Sequence, residues 1–275
     1  MMLKGRIIKN ISNIYTVKSN DKYYDCHARG KFRNDGLTPL VGDEVEFDEE
    51  NNYITEILPR RNELNRPHVS NIDIALVVTS LKTPDLSLNL LDKELVSIVL
   101  SNIEPVICFT KLDLGSPEEL ENLQCIRKYY ESLGYKVFTN AEIPELIKYL
   151  KDKYVVLTGQ TGAGKSSLIN KIDPNKELAI GEISVALGRG KHTTRHTEFH
   201  EVKNIFIADT PGFSALDLSV YEKEAIRNAF IEFQDANCEY RDCMHIKESN
   251  CSVKEKVEQN IILKSRYDNY CNFIK

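Results

Sequence analysis

A glycine-rich segment with the spacing G-x-x-x-x-G-K-S has the clearest chemistry in this sequence. In order, its residues are Gly159, Gln160, Thr161, Gly162, Ala163, Gly164, Lys165 and Ser166. Backbone N–H groups of such a loop converge on phosphate oxygens, the lysine neutralises charge on the β- and γ-phosphates, and the serine hydroxyl binds Mg²⁺. The segment therefore predicts a nucleotide phosphate site in which Lys165 contacts phosphate and Ser166 is a magnesium ligand.

The residues on either side of this loop support that prediction. An apolar run over residues 154–157 predicts a buried strand that leads into the loop, and residues 167–171 predict the start of a helix. The N-terminus of that helix, at Ser167, would face the bound anion and add to the phosphate site. The alternative, a glycine-rich turn with a chance lysine, does not account for the strand and the helix.

A second segment, at residues 209–212, has the form D-x-x-G and follows an apolar strand predicted over 205–208. In nucleotide hydrolases of this type the aspartate holds the hydration shell of Mg²⁺, and the glycine N–H meets the γ-phosphate. We therefore assign Asp209 to magnesium and Gly212 to the phosphate.

The basic run at residues 188–194 lies where such enzymes place the threonine of their first switch segment. We assign Thr194 to Mg²⁺. The adjacent Thr193 is the alternative ligand, because the two threonines follow one another and the sequence does not separate them.

Base selection is predicted to depend on a segment of the form T-K-x-D, which follows an apolar strand over 105–109. Its residues are Thr110, Lys111, Leu112 and Asp113. The aspartate can accept hydrogen bonds from guanine N1–H and N2–H₂ together, a donor pair that adenine does not present, so guanine is favoured. Asn usually occupies the first position of this motif, so threonine there alters one polar contact and would weaken base discrimination. The last guanine-site loop, normally Ser-Ala, is assigned with a poor match to Thr139, Asn140 and Ala141.

The T-K-x-D segment precedes the phosphate loop, which reverses the usual order of a guanine-nucleotide site. From residue 71 to the phosphate loop the chain alternates strands and helices, as expected for an α/β domain. Strands are predicted over 72–79, 105–109 and 135–138, and helices over 88–101, 117–133 and 143–150. The sequence therefore predicts a circularly permuted domain, in which the segment after Gly212 runs directly into the C-terminal region and can couple it to nucleotide state.

Composition describes an ordinary soluble protein of two or three domains. The chain has 275 residues, of which 41% are hydrophobic and 28% charged. It shows no stretch of membrane-spanning length and no signal peptide over residues 1–10, so we expect no membrane contact and a cytoplasmic protein. The net charge of −5 excludes a surface that is cationic throughout, so any RNA contact must come from local patches.

The first 66 residues contain short alternating runs separated by turn signals. The runs cover 5–9, 14–18, 23–28, 44–47 and 53–58. Five such strands predict a small closed barrel, with an OB-fold as first choice and an SH3-like barrel fitting nearly as well. A basic face that could hold RNA is formed by Arg29, Lys31, Arg33, Arg60, Arg61 and Arg66, with Tyr23 and Tyr24 nearby. The alternative is a solvated basic rim on an ordinary barrel.

Near the C-terminus, three cysteines and one histidine cluster within fourteen residues. They are Cys238, Cys243, His245 and Cys251. Three thiolates and one imidazole suit tetrahedral Zn²⁺, and the full set of four protein ligands favours a structural over a catalytic site. Unrelated cysteines in a helical tail are the alternative. Cys271 lies outside the cluster and is not assigned as a ligand.

The reversed motif order, the predicted barrel and the Cys3His cluster together resemble the RsgA (YjeQ) family of small-ribosomal-subunit biogenesis GTPases. The resemblance covers essentially the whole chain. It implies an OB-fold RNA-binding domain over 1–66, a circularly permuted α/β P-loop GTPase domain over 67–215 and a mainly helical zinc-binding domain over 216–275. It also implies GTP with Mg²⁺, one structural zinc, and the small ribosomal subunit with its rRNA as partner. A monomer is expected, because the nucleotide site is complete within one chain.

Hydrolysis requires an ordered water, which many GTPases orient with a glutamine directly after D-x-x-G. Here that residue is Phe213, which cannot orient water. The resemblance favours His192, in the basic run, as the residue that positions the water, with slow turnover until a partner stimulates it. In the alternative, His192 contacts RNA or only packs.

Three functions remain open at this point. In the first, the protein is a GTPase activated by the small subunit and released from RNA by hydrolysis. In the second, it is a nucleotide-gated RNA-binding module for which hydrolysis is incidental. The third, an ATPase or small-molecule kinase, conflicts with the guanine preference expected from Asp113.

Overall fold

Alternating side chains in the first sixty residues build a five-stranded barrel. The computed structural model describes residues 1–30, 32, 36–65, 68–174, 197–208 and 217–275, without the side chains of Asn65 and Thr197. The barrel strands are β1 (Met2–Ile11), β2 (Ile14–Ser19), β3 (Lys22–Ala28), β4 (Glu44–Asp48) and β5 (Tyr53–Ile57). Every second residue points inward, so that Ile7, Val17 and Phe47 are fully buried.

The strand order of this barrel is β1–β2–β3–β5–β4, and β4 returns to pair with β1. The β3–β5 pair is parallel, whereas the other pairs are antiparallel. Closure through this parallel pair gives the Greek-key path of an OB-fold, so the predicted barrel and its OB-fold class are confirmed.

A short hairpin, which the sequence did not predict, follows the last strand of the barrel. It consists of β6 (Glu63–Asn65) and β7 (His68–Ser70). The Arg60 side chain, expected on the basic face, donates instead to both carboxylate oxygens of the fully buried Asp43, at 2.7 and 2.8 Å. Because its guanidinium also donates to Glu63 at 2.7 Å, Arg60 stabilises the segment that follows the last barrel strand and is a poor candidate for RNA contact.

The central part of the chain is a twisted α/β sheet covered by helices. Its strands are β8 (Ile74–Ser80), β9 (Glu104–Thr110), β10 (Lys136–Thr139), β11 (Tyr154–Thr158), β12 (Thr197–Val202) and β13 (Ile205–Ala208). The helices are α1 (Leu88–Leu100), α2 (Pro117–Ser132), α3 (Ile143–Leu150) and α4 (Lys165–Ile172). The predicted strands and helices are confirmed to within two residues, whereas β12 was not predicted.

The strand order in this sheet is β10–β9–β8–β11–β13–β12, and every pair but β12–β13 is parallel. Parallel strands end at one edge of the sheet, and ligands of such sheets bind beyond those carboxyl ends. The ends of β9, β10, β11 and β13 therefore bring four segments, far apart in the chain, to one edge.

The barrel and the α/β sheet are continuous through a pair formed by β1 and β12, in which Lys9 lies opposite Glu198. Their side chains form an ion pair at 2.8 Å. A second ion pair joins Lys18 of the barrel to Glu201 at 2.7 Å, and the Arg6 guanidinium lies 3.9 Å from the centre of the Tyr154 ring. The two domains are thus joined by backbone, ionic and cation–π contacts.

The C-terminal region is mainly helical, with α5 (Lys223–Asn228), α6 (Ser252–Glu258) and α7 (Lys264–Phe273). Helix α5 is short, and the chain turns after it to bury Phe230 and Phe233, whose stacked rings lie 5.2 Å apart. Both rings pack on Tyr270 of α7. Within the described ranges, no helix has the length and apolar character needed to cross a membrane.

Candidate functional site

The phosphate loop connects the end of β11 to the start of α4. At its first residue, Gly159, φ is +120° and an added Cβ would lie 1.9 Å from the Val78 carbonyl oxygen, so only glycine fits. At Gly164, directly before α4, φ is +96°. These two glycines let the backbone reverse and direct the N-terminus of α4, with Ser166 and the exposed Ser167 in its first turn, toward the edge of the sheet.

The Lys165 ammonium lies over its own loop. It donates hydrogen bonds to the carbonyl oxygens of Gly159 at 2.6 Å and Gln160 at 2.8 Å. Burial lowers the pKa of Lys165, and the nearby Glu94 carboxylate partly opposes that shift. Since an ammonium has three N–H donors, a phosphate oxygen can join these two carbonyls as a further acceptor.

The guanine segment lies beside the phosphate loop, two strands away along the sheet. Thr110, the last residue of β9, donates from Oγ1 to the Ala163 carbonyl oxygen at 2.5 Å. Lys111, with φ of +56°, precedes a short 3-10 helix at Leu112–Leu114 that carries the exposed Asp113 carboxylate, and its ammonium donates to the Thr83 carbonyl. The two motifs are therefore in direct contact, which their reversed order in the chain did not reveal.

The loop matched poorly by sequence, at residues 139–141, lies next to this guanine segment. Thr139 ends β10 opposite Phe109, and the Asn140 N–H donates to the Phe109 carbonyl at 2.9 Å. The Thr139 N–H and hydroxyl donate to the Glu142 carboxylate at 2.7 and 3.0 Å. The support for placing this loop in the base site is its position beside the guanine segment rather than the types of its residues.

Of the residues assigned to the nucleotide site, Thr194, His192, Asp209, Gly212 and the alternative ligand Thr193 lie outside the described residues, as do Lys31, Arg33 and Arg66 of the predicted basic face. The described residue next to Asp209, which is Ala208, lies at the carboxyl end of its strand. Strand β13 ends at Ala208, directly before Asp209, and Ala208 pairs with Val156, near the end of β11.

The four predicted zinc ligands converge in the C-terminal region. Their ligand atoms all lie within 4.8 Å of one another. His245 Nδ1 is 3.5 Å from Cys238 Sγ and 3.3 Å from Cys251 Sγ, and these two sulfurs are 3.9 Å apart. A tetrahedral zinc with Zn–S of about 2.3 Å and Zn–N of about 2.0 Å separates its ligands by about 3.5 to 3.8 Å, so the donor set fits this ion.

The chain around these ligands is held by α7 and by one carboxylate. The hydroxyls of Tyr267 and Tyr270 each donate at 2.6 Å, to the carbonyls of His245 and Met244. The Glu248 carboxylate accepts from three backbone N–H groups of residues 244–247, at 2.8 to 3.0 Å. Burial raises the pKa of the Cys243 thiol to about 12, and a divalent cation would offset the cost of ionising it.

Sequence reasoning missed two charged groups on helix α1. Asp92 is fully buried and paired with Arg266 of α7, which is also fully buried, at 2.5 Å. Glu94, only 4% exposed, contacts the residue before the phosphate loop. Acidic residues within an otherwise apolar helical run were the signal in the sequence, because a buried carboxylate requires a partner.

Comparison with known protein families finds similarity along most of the chain. A family model described as "RsgA GTPase" matches residues 57–219, and one described as "RsgA N-terminal domain" matches residues 4–56. The protein named "Small ribosomal subunit biogenesis GTPase RsgA" from Enterococcus faecalis is 47% identical over 280 residues, covering 99% of this chain and 94% of that protein. The protein of the same name from Limosilactobacillus fermentum is 46% identical over 283 residues, covering 99% and 96%.

Two solved structures share the fold over the whole chain. One is described as "The crystal structure of YloQ, a circularly permuted GTPase", with a TM-score of 0.86, 34% identity, and coverage of 100% of this chain and 94% of that chain. The other is "Crystal structure of YjeQ from Thermotoga maritima", with a TM-score of 0.87, 33% identity, and coverage of 100% and 98%.

Proposed function

This chain belongs to the RsgA family and is a circularly permuted GTPase, and from that premise we propose that it acts as a late assembly factor of the small ribosomal subunit. In this role it binds rRNA of the subunit, hydrolyses GTP to GDP and phosphate, and leaves when hydrolysis is complete. Turnover is slow for the protein alone and is stimulated by the small subunit. The names of the relatives support the assembly role.

We assign the nucleotide contacts to the two segments that meet at the sheet edge. Asp113 selects guanine, and Thr110 links the guanine segment to the phosphate loop by a hydrogen bond. Lys165 neutralises charge on the β- and γ-phosphates. The backbone of residues 159–164 and the start of α4 cradle the phosphate chain. The contact between Thr110 and Ala163 is the observation that carries this assignment, because it joins the base and phosphate segments of a site that the chain order separates.

Magnesium and the attacking water are assigned from the motifs. Ser166, Thr194 and Asp209 hold Mg²⁺, and Gly212 contacts the γ-phosphate. His192 positions the water, because Phe213 at the usual glutamine position cannot. His192 stands in the same basic run as Thr194, two residues before it.

We propose zinc as the metal held by Cys238, Cys243, His245 and Cys251. The ligand spacing and the full tetrahedral set support a structural ion, since no ligand position is left for water. Such an ion stabilises a segment whose three helices, each of ten residues or fewer, bury a small core.

The domain boundaries we propose are 1–66 for the RNA-binding barrel, 67–215 for the GTPase domain and 216–275 for the zinc domain. The protein works in the cytoplasm, where ribosomal subunits mature, and as a monomer, because one chain supplies all the nucleotide-binding segments. The exposed Arg29 at the barrel rim supports local RNA contact.

GTP turnover by the full-length chain at fixed salt tests the proposal. The protein is assayed alone, with purified small ribosomal subunits and with large subunits as the control. Stimulation by the small subunit alone is the expected result. Equal turnover in all three samples would contradict the assembly role and leave a GTPase with another partner.

The second candidate function is a nucleotide-gated RNA-binding module for which hydrolysis is incidental. The same turnover assay distinguishes the two functions, because such a module binds the small subunit in a nucleotide-dependent manner without multiple turnovers. Repeated turnover at low enzyme-to-subunit ratio favours the assembly GTPase.

A further inference from the structure

Helix α1 directs one buried carboxylate at the base of the phosphate loop. Glu94 accepts a hydrogen bond from Thr158 Oγ1 at 3.1 Å, and the Gly159 N–H also donates to it. These two residues are the end of β11 and the first residue of the loop. Glu94 is only 4% exposed, so the contact lies inside the protein rather than on its surface.

Burial shifts the pKa of both Glu94 and Lys165, and each charge acts on the pKa of the other group. Burial raises the pKa of Glu94 to about 7, although the hydrogen bond from Thr158 and the charge of Lys165 act in the opposite sense. Burial likewise lowers the pKa of Lys165, and Glu94 opposes that shift. For each residue, burial makes the charged form unfavourable, and the charge of the other residue makes it more favourable.

The other buried carboxylate on this helix is already neutralised. Asp92 binds Arg266 at 2.5 Å and accepts hydrogen bonds from Tyr130 and Asn269, both at 2.6 Å. The buried cation of helix α7, Arg266, is therefore already paired with Asp92. Lys165 of α4 is the cation that acts on Glu94 within the part of the chain that the structure describes.

We propose that Glu94 is a positioning residue for the phosphate site: held at the base of the loop by Thr158 and Gly159, its charge opposes that of the nucleotide phosphates and so limits nucleotide affinity and residence time. The role rests on the proposed nucleotide site and adds to it a residue that none of its sequence motifs contains. A buried anion at the base of the loop accepts hydrogen bonds from Thr158 and Gly159 and favours the charged form of Lys165. It also repels the phosphates of GDP or GTP, which carry charge of the same sign.

The charge of Glu94 and nucleotide binding must affect one another reciprocally. Bound phosphates raise the pKa of Glu94 further, so the ionised carboxylate weakens binding and the protonated one does not. Below pH about 7 Glu94 is largely protonated, and above it largely ionised. Nucleotide affinity therefore falls as the pH rises through 7, in addition to any titration of the nucleotide itself.

The test measures GDP affinity and GDP dissociation rate for the full-length wild type and for Glu94→Gln between pH 6 and 8.5. Glutamine keeps the shape and an acceptor for Thr158 but carries no charge. At pH 8 we expect the variant to bind about 5-fold more tightly and release GDP correspondingly more slowly, the factor at that pH when bound phosphates raise the Glu94 pKa by about one unit. At pH 6 the two proteins should converge, and their affinity ratio cancels the titration of GDP.

Two further variants separate charge from structure. Glu121→Gln, at an exposed position on α2, is the matched control and should equal wild type at every pH. Thr158→Val removes the hydrogen bond to Glu94 but keeps its charge, so the pH dependence of GDP affinity should persist. Thermal unfolding of each variant shows that it is folded.

Three results would overturn the inference. An affinity ratio that does not change with pH would mean that the charge of Glu94 does not act on the nucleotide. Weaker binding by Glu94→Gln at every pH would make Glu94 a structural support of the loop only. Failure of wild type to bind any guanine nucleotide would instead remove the proposed function itself, and this role with it.

Discussion

Thr110 Oγ1 donates a 2.5 Å hydrogen bond to the carbonyl oxygen of Ala163, and this bond joins the guanine segment to the phosphate loop. An added Cβ at Gly164 would lie 3.6 Å from the same hydroxyl oxygen, an ordinary van der Waals distance, so the segments are packed as well as bonded. Threonine in place of the usual asparagine therefore still supplies a polar link between base site and phosphate site.

Thr110→Val should weaken GDP binding. The change keeps the shape but leaves the buried Ala163 carbonyl without this donor, which costs about 1–3 kcal/mol. Calorimetric titration of GDP measures the effect, and Thr110→Ser, which retains a hydroxyl, is the matched control. Equal affinity of the valine variant and wild type would show that the link is not needed for the site.

Asp113→Asn should change base preference. An amide cannot accept from both guanine donors, but it can donate to the 2-keto oxygen of xanthine, so GDP affinity falls and xanthosine diphosphate affinity rises. Competition among GDP, xanthosine diphosphate and ADP measures the preference, with Glu118→Gln on the exposed first turn of α2 as the control. Tighter binding of ADP than GDP by wild type would contradict the assignment of Asp113.

His192→Ala should reduce turnover stimulated by the small subunit while leaving GTP affinity nearly intact, because the proposed role is to position water. Lys165→Ala should weaken phosphate binding and turnover together. His68→Ala, at an exposed histidine in the β6–β7 hairpin, is the matched control for the first variant. Unchanged stimulated turnover in His192→Ala would exclude it as the water-positioning residue.

Arg266→Ala should strongly destabilise the protein, because it leaves Asp92 and Glu232 as unpaired buried carboxylates. Removing one member of such a network costs about 3–5 kcal/mol. Chemical denaturation followed by circular dichroism measures the loss. Lys264→Ala, on the same helix but in an exposed pair with Asp268, should change the midpoint little. Similar midpoints for both variants would show that the buried network does not hold α7 to the GTPase domain.

Zinc removal should unfold the C-terminal domain first. Elemental analysis should find one zinc per wild-type chain, and Cys243→Ser should lose most of it, because serine does not replace a thiolate ligand. Cys125→Ser, at an exposed cysteine outside the cluster, should retain the metal. A folded C-terminal domain in wild type after complete chelation would contradict a structural role for the ion.

The sequence was sufficient for features that depend on local spacing. The two-residue periodicity of the first sixty residues predicted the barrel, and the strand–loop–helix pattern around Lys165 predicted the phosphate loop. The spacing of Cys238, Cys243, His245 and Cys251 predicted a four-ligand cluster, and the structure brings those ligand atoms within 4.8 Å. In each case the residues that act together are close in the chain.

Features that depend on distant residues were not predictable in this way. The role of Thr110 was ambiguous until the sheet brought it to Ala163, 53 residues later. Arg60, which a local view of charge placed on an RNA face, is bound to the buried Asp43. The weak match at residues 139–141 gained support only from the pairing of β10 with β9.

By itself, the sequence determined which motifs are present: a phosphate-loop motif, a T-K-x-D segment in reversed order to it, and a cluster of three cysteines and one histidine. Only the tertiary structure decided which charged groups interact. It pairs Asp92 with Arg266 and places Glu94 in contact with the residue before the phosphate loop. The reason is physical. Motif spacing records geometry within one turn or one strand, whereas the pairing of buried charges depends on how the sheet and the helices pack, and burial then determines how strongly each charge acts.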